Sequence, residues 1–360
     1  MCQTNLRSLL PFNTTDMTKL ALMRCPNLEN WLLPFVRRIE FELSLQGPAM
    51  NFELVDEAKE ADLVLYVDSN KIKHNLSGYR KLLQWADKEG KYVFALSFED
   101  KPLGALPGIY TSLVPRNFDP ALHLSWPHLE APNKYVESAP LTSPKQASKL
   151  FSFLGSCSHP LRRKLFSMYE SKQCDKWQVG EIKRWYDHTE DEHKNYVAGI
   201  LDSRFALCPR GISGYSHRIF ESIMLERVPV IIADNWVPFS FPEQDYYITI
   251  AEKELGAVTS HLERELANYD YYLTNLRAVK SKWLTANMRY GKVVEQFLKF
   301  HRQHQSAHQP RALLERLESS EYRENNGLLF HQRVLSLVNS IPRRGKKTIA
   351  KFASEYAKLF

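Results

Sequence analysis

The stretch Phe205-Ala206-Leu207-Cys208-Pro209-Arg210-Gly211-Ile212-Ser213-Gly214-Tyr215-Ser216-His217-Arg218-Ile219-Phe220-Glu221-Ser222-Ile223-Met224-Leu225-Glu226-Arg227-Val228-Pro229-Val230-Ile231-Ile232 decides the fold. Its opening apolar run, Phe205 to Cys208, suits a buried strand. Pro209-Arg210-Gly211 breaks the regular structure, and Ile219, Phe220, Ile223 and Met224 then follow at helical spacing. Val228 to Ile232 is a second apolar run of strand length. Together these predict strand, glycine-containing loop, helix and strand, one βαβ unit.

The polar residues of the unit point to its chemistry. Arg210 and Arg218 fall at the loop and the helix start, with the hydroxyls of Ser213 and Ser216 beside them. A helix N-terminus offers free backbone N–H groups and the positive end of the macrodipole. Arginine adds a fixed fork of donors that matches phosphate oxygens. A diphosphate therefore fits over this loop. Glu221, three residues past Arg218, shares a helix face with it and suits ribose hydroxyls, as the acidic residue of dinucleotide folds does. A plainer account fits as well: Arg218 and Glu221 as a surface ion pair of little energetic worth, with Gly and Pro as punctuation.

The pattern C-P-R-G, then G-Y-S-H-R-I-F-E, then V-P-V-I-I-A-D and V-P-F over Cys208 to Phe239 resembles the sugar-nucleotide-binding region of the exostosin-type glycosyltransferases. Phe151-Ser152-Phe153-Leu154-Gly155, with His159-Pro160-Leu161-Arg162, is similar to that family's F-x-F-x-G strand and following arginine. Glu60-Ala61-Asp62-Leu63-Val64-Leu65-Tyr66-Val67 resembles an earlier strand of the family. The resemblance implies α/β architecture with two Rossmann-like domains facing a cleft, of the GT-B type. It implies inverting sugar transfer from a nucleotide sugar to a glycan. Carried over by position, Arg210 and Arg218 contact the diphosphate and Glu221 the ribose, with Gly211, Ser216 and Arg162 lining the donor site. Arg227 stands where relatives tend to carry a small residue or cysteine.

A chain of 360 residues suits two domains. Hydrophobic content of 44% is that of a globular protein. The net charge of +7 and pI near 9.0 suit an anionic partner: a nucleotide sugar, an acidic glycan or a membrane surface. No helix-turn-helix, zinc-finger or RNA-binding motif is present, so nucleic acid is not expected. The five cysteines are irregularly spaced and include no C-x-x-C pair, which argues against a metal site or disulfide framework. With no apolar run near the ~20 residues of a membrane span, the chain is expected to be cytoplasmic, with peripheral contact to the inner face of a membrane as an extension.

Along the chain, Phe41, Leu43 and Leu45 alternate with polar residues as in a half-buried strand. Leu63 to Val67 and Tyr92 to Leu96 predict buried strands, with a helix over Tyr79 to Lys88 stopped at Gly90. The proline-rich segment from Pro115 to Pro144 predicts a linker. The expected domains are 1–145 on the acceptor side, 146–330 for the nucleotide sugar, and a basic amphipathic helix in 331–360. For that last helix, docking on the N-terminal domain and contact with an anionic membrane presenting a lipid-linked acceptor both fit. Leu276 to His301 is helical by period. His301, His304 and His308 sit among polar neighbours and predict a solvated helix end, not a metal site.

Inverting transfer is a single displacement, needing a base at the acceptor hydroxyl and stabilisation of the departing diphosphate. The arginines and the helix dipole supply the second need, and no metal or other cofactor is expected besides the donor itself. No D-x-D triad occurs; Asp68-Ser69-Asn70 is the nearest approach. The base is expected at the C-terminal end of an N-terminal-domain strand, from Glu99 or Asp100. The residue types equally suit helix caps or solvated charges. The expected function is transfer from a UDP-sugar in surface polysaccharide or lipopolysaccharide synthesis. The alternatives are a GDP-fucose-dependent enzyme and a non-catalytic glycan-binding protein.

Overall fold

A computed structural model describes residues 17–24, 33–68, 76–100, 102–128, 133–169, 174–183, 188–285 and 289–325. The expected C-terminal helix over Thr348 to Phe360 lies outside the described residues. The first sheet holds β1 (Thr18–Arg24), β2 (Phe52–Leu54), β3 (Leu63–Val67), β4 (Tyr92–Ser97), β5 (Gly108–Tyr110) and β6 (His123–Ser125). Their order is β2-β1-β3-β4-β5-β6, parallel throughout. The second sheet holds β7 (Lys149–Gly155), β8 (Trp177–Glu181), β9 (Ser203–Pro209), β10 (Val228–Ile232) and β11 (Ile248–Thr249) in the parallel order β11-β10-β9-β7-β8.

Helices cover both faces of each sheet, as parallel strands buried on two sides require. On the first sheet, α1 (Leu33–Gln46) and α9 (Arg289–Gln303) bury Phe35, Ile39, Leu43 and Phe297 against Leu65, Phe94 and Leu96. On its other face, α2 (Ser77–Glu89) and α10 (Pro310–Glu318) bury Tyr79, Leu83, Leu313 and Leu317 against Val64, Val93 and Ala95. The short α11 (Ser320–Asn325) adds Tyr322 to that face. Gly90 ends α2 in a left-handed conformation, φ 65°, as glycine does at helix ends. Gly108 allows β5 to close on β4, because a Cβ there would lie 2.2 Å from the Ala95 carbonyl oxygen.

The second sheet alternates cleanly along β9. Phe205 and Leu207 face α4 (Pro160–Tyr169) and α7 (Val258–Glu265), while Cys208 faces α6 (His217–Met224) and α8 (Tyr269–Trp283). Ala206 meets Val136 of α3 (Lys134–Glu137) and Val197 and Ile200 of α5 (Glu190–Leu201). Burial pushes the Cys208 thiol up to about 12, so it acts as a small apolar side chain.

Several sequence expectations change. Phe41 to Leu45 is helix, not strand: Phe35, Val36, Ile39 and Leu43 make the buried stripe, while Phe41 and Leu45 are 62% and 63% exposed. The proline-rich segment is not a plain linker, since β6 lies inside it and Trp126 is 1% exposed. Trp126 sits edge-on to Phe241 at 4.8 Å and to Trp283 at 6.1 Å. Beside it, the Ser125 amide donates to Ser240 Oγ at 2.9 Å and the Ser240 amide to the Ser125 carbonyl at 2.8 Å. These contacts join the two domains, and the V-P-F element, Val237-Pro238-Phe239, lies at that junction.

The second domain does not run to residue 330. From Arg289 the chain returns to the first sheet, where Phe297 packs on Phe94 at 4.3 Å. The three histidines are not a solvated end. His301 and His308 are 1% and 0% exposed and stack, with Nδ1 atoms 3.0 Å apart. His308 Nε2 meets the Ala121 carbonyl at 2.9 Å. Arg227 is fully buried and donates to the carbonyls of Leu201, Leu225, Glu226 and Thr142. Among the described residues, no helix is long and apolar enough to cross a membrane.

Candidate active site

A cleft of about 600 Å³ opens at the C-terminal ends of both sheets. Asp100 and His128 enter it from beyond β4 and β6, Leu154 to Ser156 from the end of β7, and Ile182 from beyond β8. Gly211 follows β9, and Ser216, His217, Arg218 and Glu221 come from the start of α6. Open parallel sheets present their ligand sites at these strand ends.

Arg218 is 6% exposed. Its guanidinium lies between two rings, 4.7 Å from the centroid of Phe153 and 4.6 Å from that of Tyr196. Nη2 donates to the Leu154 carbonyl, while Nη1 has no hydrogen-bond partner among the described residues. A Cβ on Gly155 would come within 3.1 Å of Arg218 Nη2, so the glycine of F-x-F-x-G gives the arginine its room. Gly214 is required for another reason: a Cβ there would lie 2.6 Å from the Asn235 carbonyl oxygen.

Glu221 sits one turn along α6. Its Oε2 accepts from the Tyr196 hydroxyl and its Oε1 from Asn133 Nδ2 at 3.1 Å. Ser216 is the N-cap of α6, and its hydroxyl makes no capping bond. The helix start therefore faces the cleft without a side chain closing it.

Arg162 and Arg210 behave differently from expectation. Arg162 holds backbone: Nε donates to the Arg210 carbonyl at 3.0 Å, Nη2 to Pro209 at 3.1 Å and Nη1 to Ser156 at 3.3 Å. It thus clamps the P-R-G loop to the end of β7 while lining the cleft. Burial, and next the Arg218 charge, lower its guanidinium to about 10, so it stays charged at neutral pH. Arg210 is outside the cleft lining and pairs with Glu252 at 3.4 Å.

The two acidic candidates also separate. Asp100 is exposed and lines the cleft. Glu99 is 7% exposed and does not line it. Asp68 is buried, accepting from the Tyr79 hydroxyl at 2.8 and 2.9 Å. Burial, with the Asp68 charge next, pushes that hydroxyl well above its ordinary pKa. Asp68 is thus a structural carboxylate.

Further cleft residues were not picked out from sequence. His128 stands between Tyr215 and His217, at centroid distances of 4.4 and 4.5 Å, and its Nε2 lies 3.4 Å from Ser112 Oγ. Tyr135 and His193 stack at 4.7 Å. Tyr196 and His193 belong to α5, whose start carries a legible signal. Thr189-Glu190-Asp191-Glu192 forms a capping box, with Thr189 accepting from the Glu192 amide and Glu192 from the Thr189 amide. Among the described residues, no group of three or more His, Cys, Asp or Glu is placed to hold a metal ion.

Residues 101–264 match the exostosin GT47 domain. The chain is 37% identical over 89 residues to a probable glucuronoxylan glucuronosyltransferase of Arabidopsis thaliana, covering 24% of this chain and 18% of that protein. It is 34% identical over 94 residues to a probable glucuronosyltransferase of Oryza sativa subsp. japonica, covering 25% and 20%. The match thus spans about a fifth of the length of these curated relatives. Among solved structures, the lipopolysaccharide outer core galactosyltransferase WaaB in apo form shares 11% identity. It covers 78% of this chain and 99% of that chain, with a TM-score of 0.46. Residues 101–264 are thus similar to an exostosin-type glycosyltransferase domain, and the two parallel α/β sheets face the cleft that this stretch helps to build.

Proposed function

We propose that this chain is an inverting glycosyltransferase that moves a sugar from a nucleotide-sugar donor, a UDP-sugar first, to a glycan acceptor in polysaccharide synthesis. The observation that carries the reading is Arg218. A buried guanidinium whose Nη1 has no partner among the described residues, at the wall of a cleft, is costly unless a ligand completes it. A diphosphate oxygen would complete it, beside the uncapped start of α6. Glu221, one turn away and already oriented by Tyr196 and Asn133, suits the ribose hydroxyls. Arg218 and the helix N-terminus then stabilise the departing diphosphate, with the charge of Arg162 at the same cleft wall. The glucuronosyltransferase names of the plant relatives support transfer of a sugar.

Asp100 takes the acceptor proton in this reading, because it is the acidic candidate that lines the cleft from the first domain. The free thiols of Cys157, Cys174 and Cys208 support a reducing, cytoplasmic compartment. The first experiment is a thermal-shift panel of UDP-, GDP-, ADP- and CMP-sugars, since a ligand of the native state raises its melting temperature. A shift with UDP-sugars supports the reading, one with GDP-sugars alone moves it to a fucosyltransferase-type donor, and none with any donor refutes it. For the base, Asp100→Asn should lower kcat by about 10²-fold or more with donor affinity intact. Glu99→Gln should leave kcat close to wild type. Full turnover by Asp100→Asn would remove Asp100 from the role.

A further inference from the structure

Arg218 and Glu221 stand three residues apart on α6, a spacing at which a cation and a carboxylate ordinarily meet and neutralise each other. Here each is committed elsewhere. The Arg218 guanidinium is stacked between Phe153 and Tyr196 and tied to the Leu154 carbonyl. The Glu221 carboxylate takes the Tyr196 hydroxyl on one oxygen and Asn133 on the other. A single side chain therefore touches both partners of the missing pair: the ring of Tyr196 holds the cation and its hydroxyl holds the carboxylate.

We infer that Tyr196 is a positioning residue that keeps Arg218 and Glu221 from pairing, so that Arg218 remains available to a diphosphate and Glu221 to a nucleoside. The inference rests on the donor reading above and adds to it the device that keeps two opposite charges apart in one small site. An aliphatic side chain would neither attract the guanidinium face nor donate to Glu221. Burial raises the Tyr196 hydroxyl well above its ordinary pKa, so it stays a donor across the working range of pH. Tyr196 reaches the site from α5, and Asn133 from the N-cap of α3 in the first interdomain crossing. The orientation of Glu221 thus depends on two elements outside its own helix.

The test is isothermal titration of the full chain with inorganic diphosphate and with the tighter-binding of UDP and GDP. Tyr196→Phe keeps the ring and loses the hydroxyl. Its diphosphate affinity should equal that of wild type, while nucleotide affinity falls by about fivefold, the worth of one hydrogen bond. Tyr196→Leu loses both contacts, and its diphosphate affinity should fall by about tenfold or more. Adding Glu221→Gln to Tyr196→Leu should recover much of that loss, because a neutral amide cannot neutralise Arg218. A merely structural role would not produce this recovery. Wild-type diphosphate affinity in Tyr196→Leu, or no recovery in the double variant, overturns the inference and leaves the donor reading standing. If Tyr196→Leu does not fold by circular dichroism, Tyr196→Phe decides, and unchanged nucleotide affinity there overturns it. Failure of the wild-type protein to bind diphosphate, UDP or GDP removes the donor reading and this inference together.

Discussion

Side-chain direction separates residues that the sequence presents as equals. Arg210 and Arg218 both flank the glycine loop, yet Arg218 is pressed into the cleft wall between two rings while Arg210 turns to Glu252. Their variants should therefore differ. Arg218→Ala removes charge-assisted hydrogen bonds worth about 1.5–3 kcal/mol, a loss of about 10- to 100-fold in donor affinity. Arg210→Ala removes a partly exposed ion pair and should change donor affinity by less than about threefold. Titration of both variants with the donor checks this, and equal losses would return Arg210 to the site. Glycine and proline positions were legible because their backbone demands are local, as at Gly90. The direction of a long arginine was not, because it depends on which carbonyls and rings the rest of the chain brings near.

Elements were legible in proportion to their length and burial. Leu63 to Val67 and Tyr92 to Leu96 are continuous apolar runs, and they are β3 and β4. The three residues of β6 gave no pattern to read, and an alternation over Phe41 to Leu45 belonged to a helix whose exposed face also carries apolar side chains. The end of α9 and the turn that follows it are illegible in sequence for a related reason. Their histidines sit among polar neighbours in sequence but under Phe94, Tyr92 and Ala121 in space. Burial lowers His301 to about 3 and His308 to about 4, with the neighbouring histidine adding to the first. Both are therefore buried neutral, while in the unfolded chain they take up protons near 6.5. Their contribution is fully present above about pH 6.5 and is lost as the pH falls toward 4 and 3. Urea midpoints should drop across that window. In a His301→Gln/His308→Gln variant the drop should be shallower, whatever the change in stability at neutral pH, and an unchanged slope would count against the pair.

At the scale of the whole molecule, the cleft exists because two sheets are held together at a few places. One is the Ser125–Ser240 pair with Trp126 against Phe241 and Trp283. Another is Arg289, buried and paired with Glu137 of α3 at 2.6 Å, which ties the return of the chain to the first crossing. A third is Arg227, whose guanidinium gathers carbonyls of the second domain and the Thr142 carbonyl and hydroxyl of the crossing segment. Arg227→Ala leaves several buried acceptors without donors and should cost about 3 kcal/mol or more. Chemical denaturation measures it, and a loss under about 1 kcal/mol would show that water replaces the guanidinium freely. None of these ties was legible from spacing, because each joins residues far apart in the chain.

The return of α9 and α10 to the first sheet has a consequence for how the protein is made. As the chain leaves the ribosome, β1 to β6 emerge early, but the helix that covers Phe94 is among the last described segments to appear. The first domain then stands with both apolar faces only partly covered, by α1 and α2, while the whole of the second domain is being synthesised, a late long-range closure of the kind that slows folding and exposes intermediates to aggregation. The second domain has no such delay. Its sheet is complete once β11 has emerged, so it can close around its own core first and present Trp283 and Phe241 as a ready surface on which Trp126 and the unfinished first domain settle.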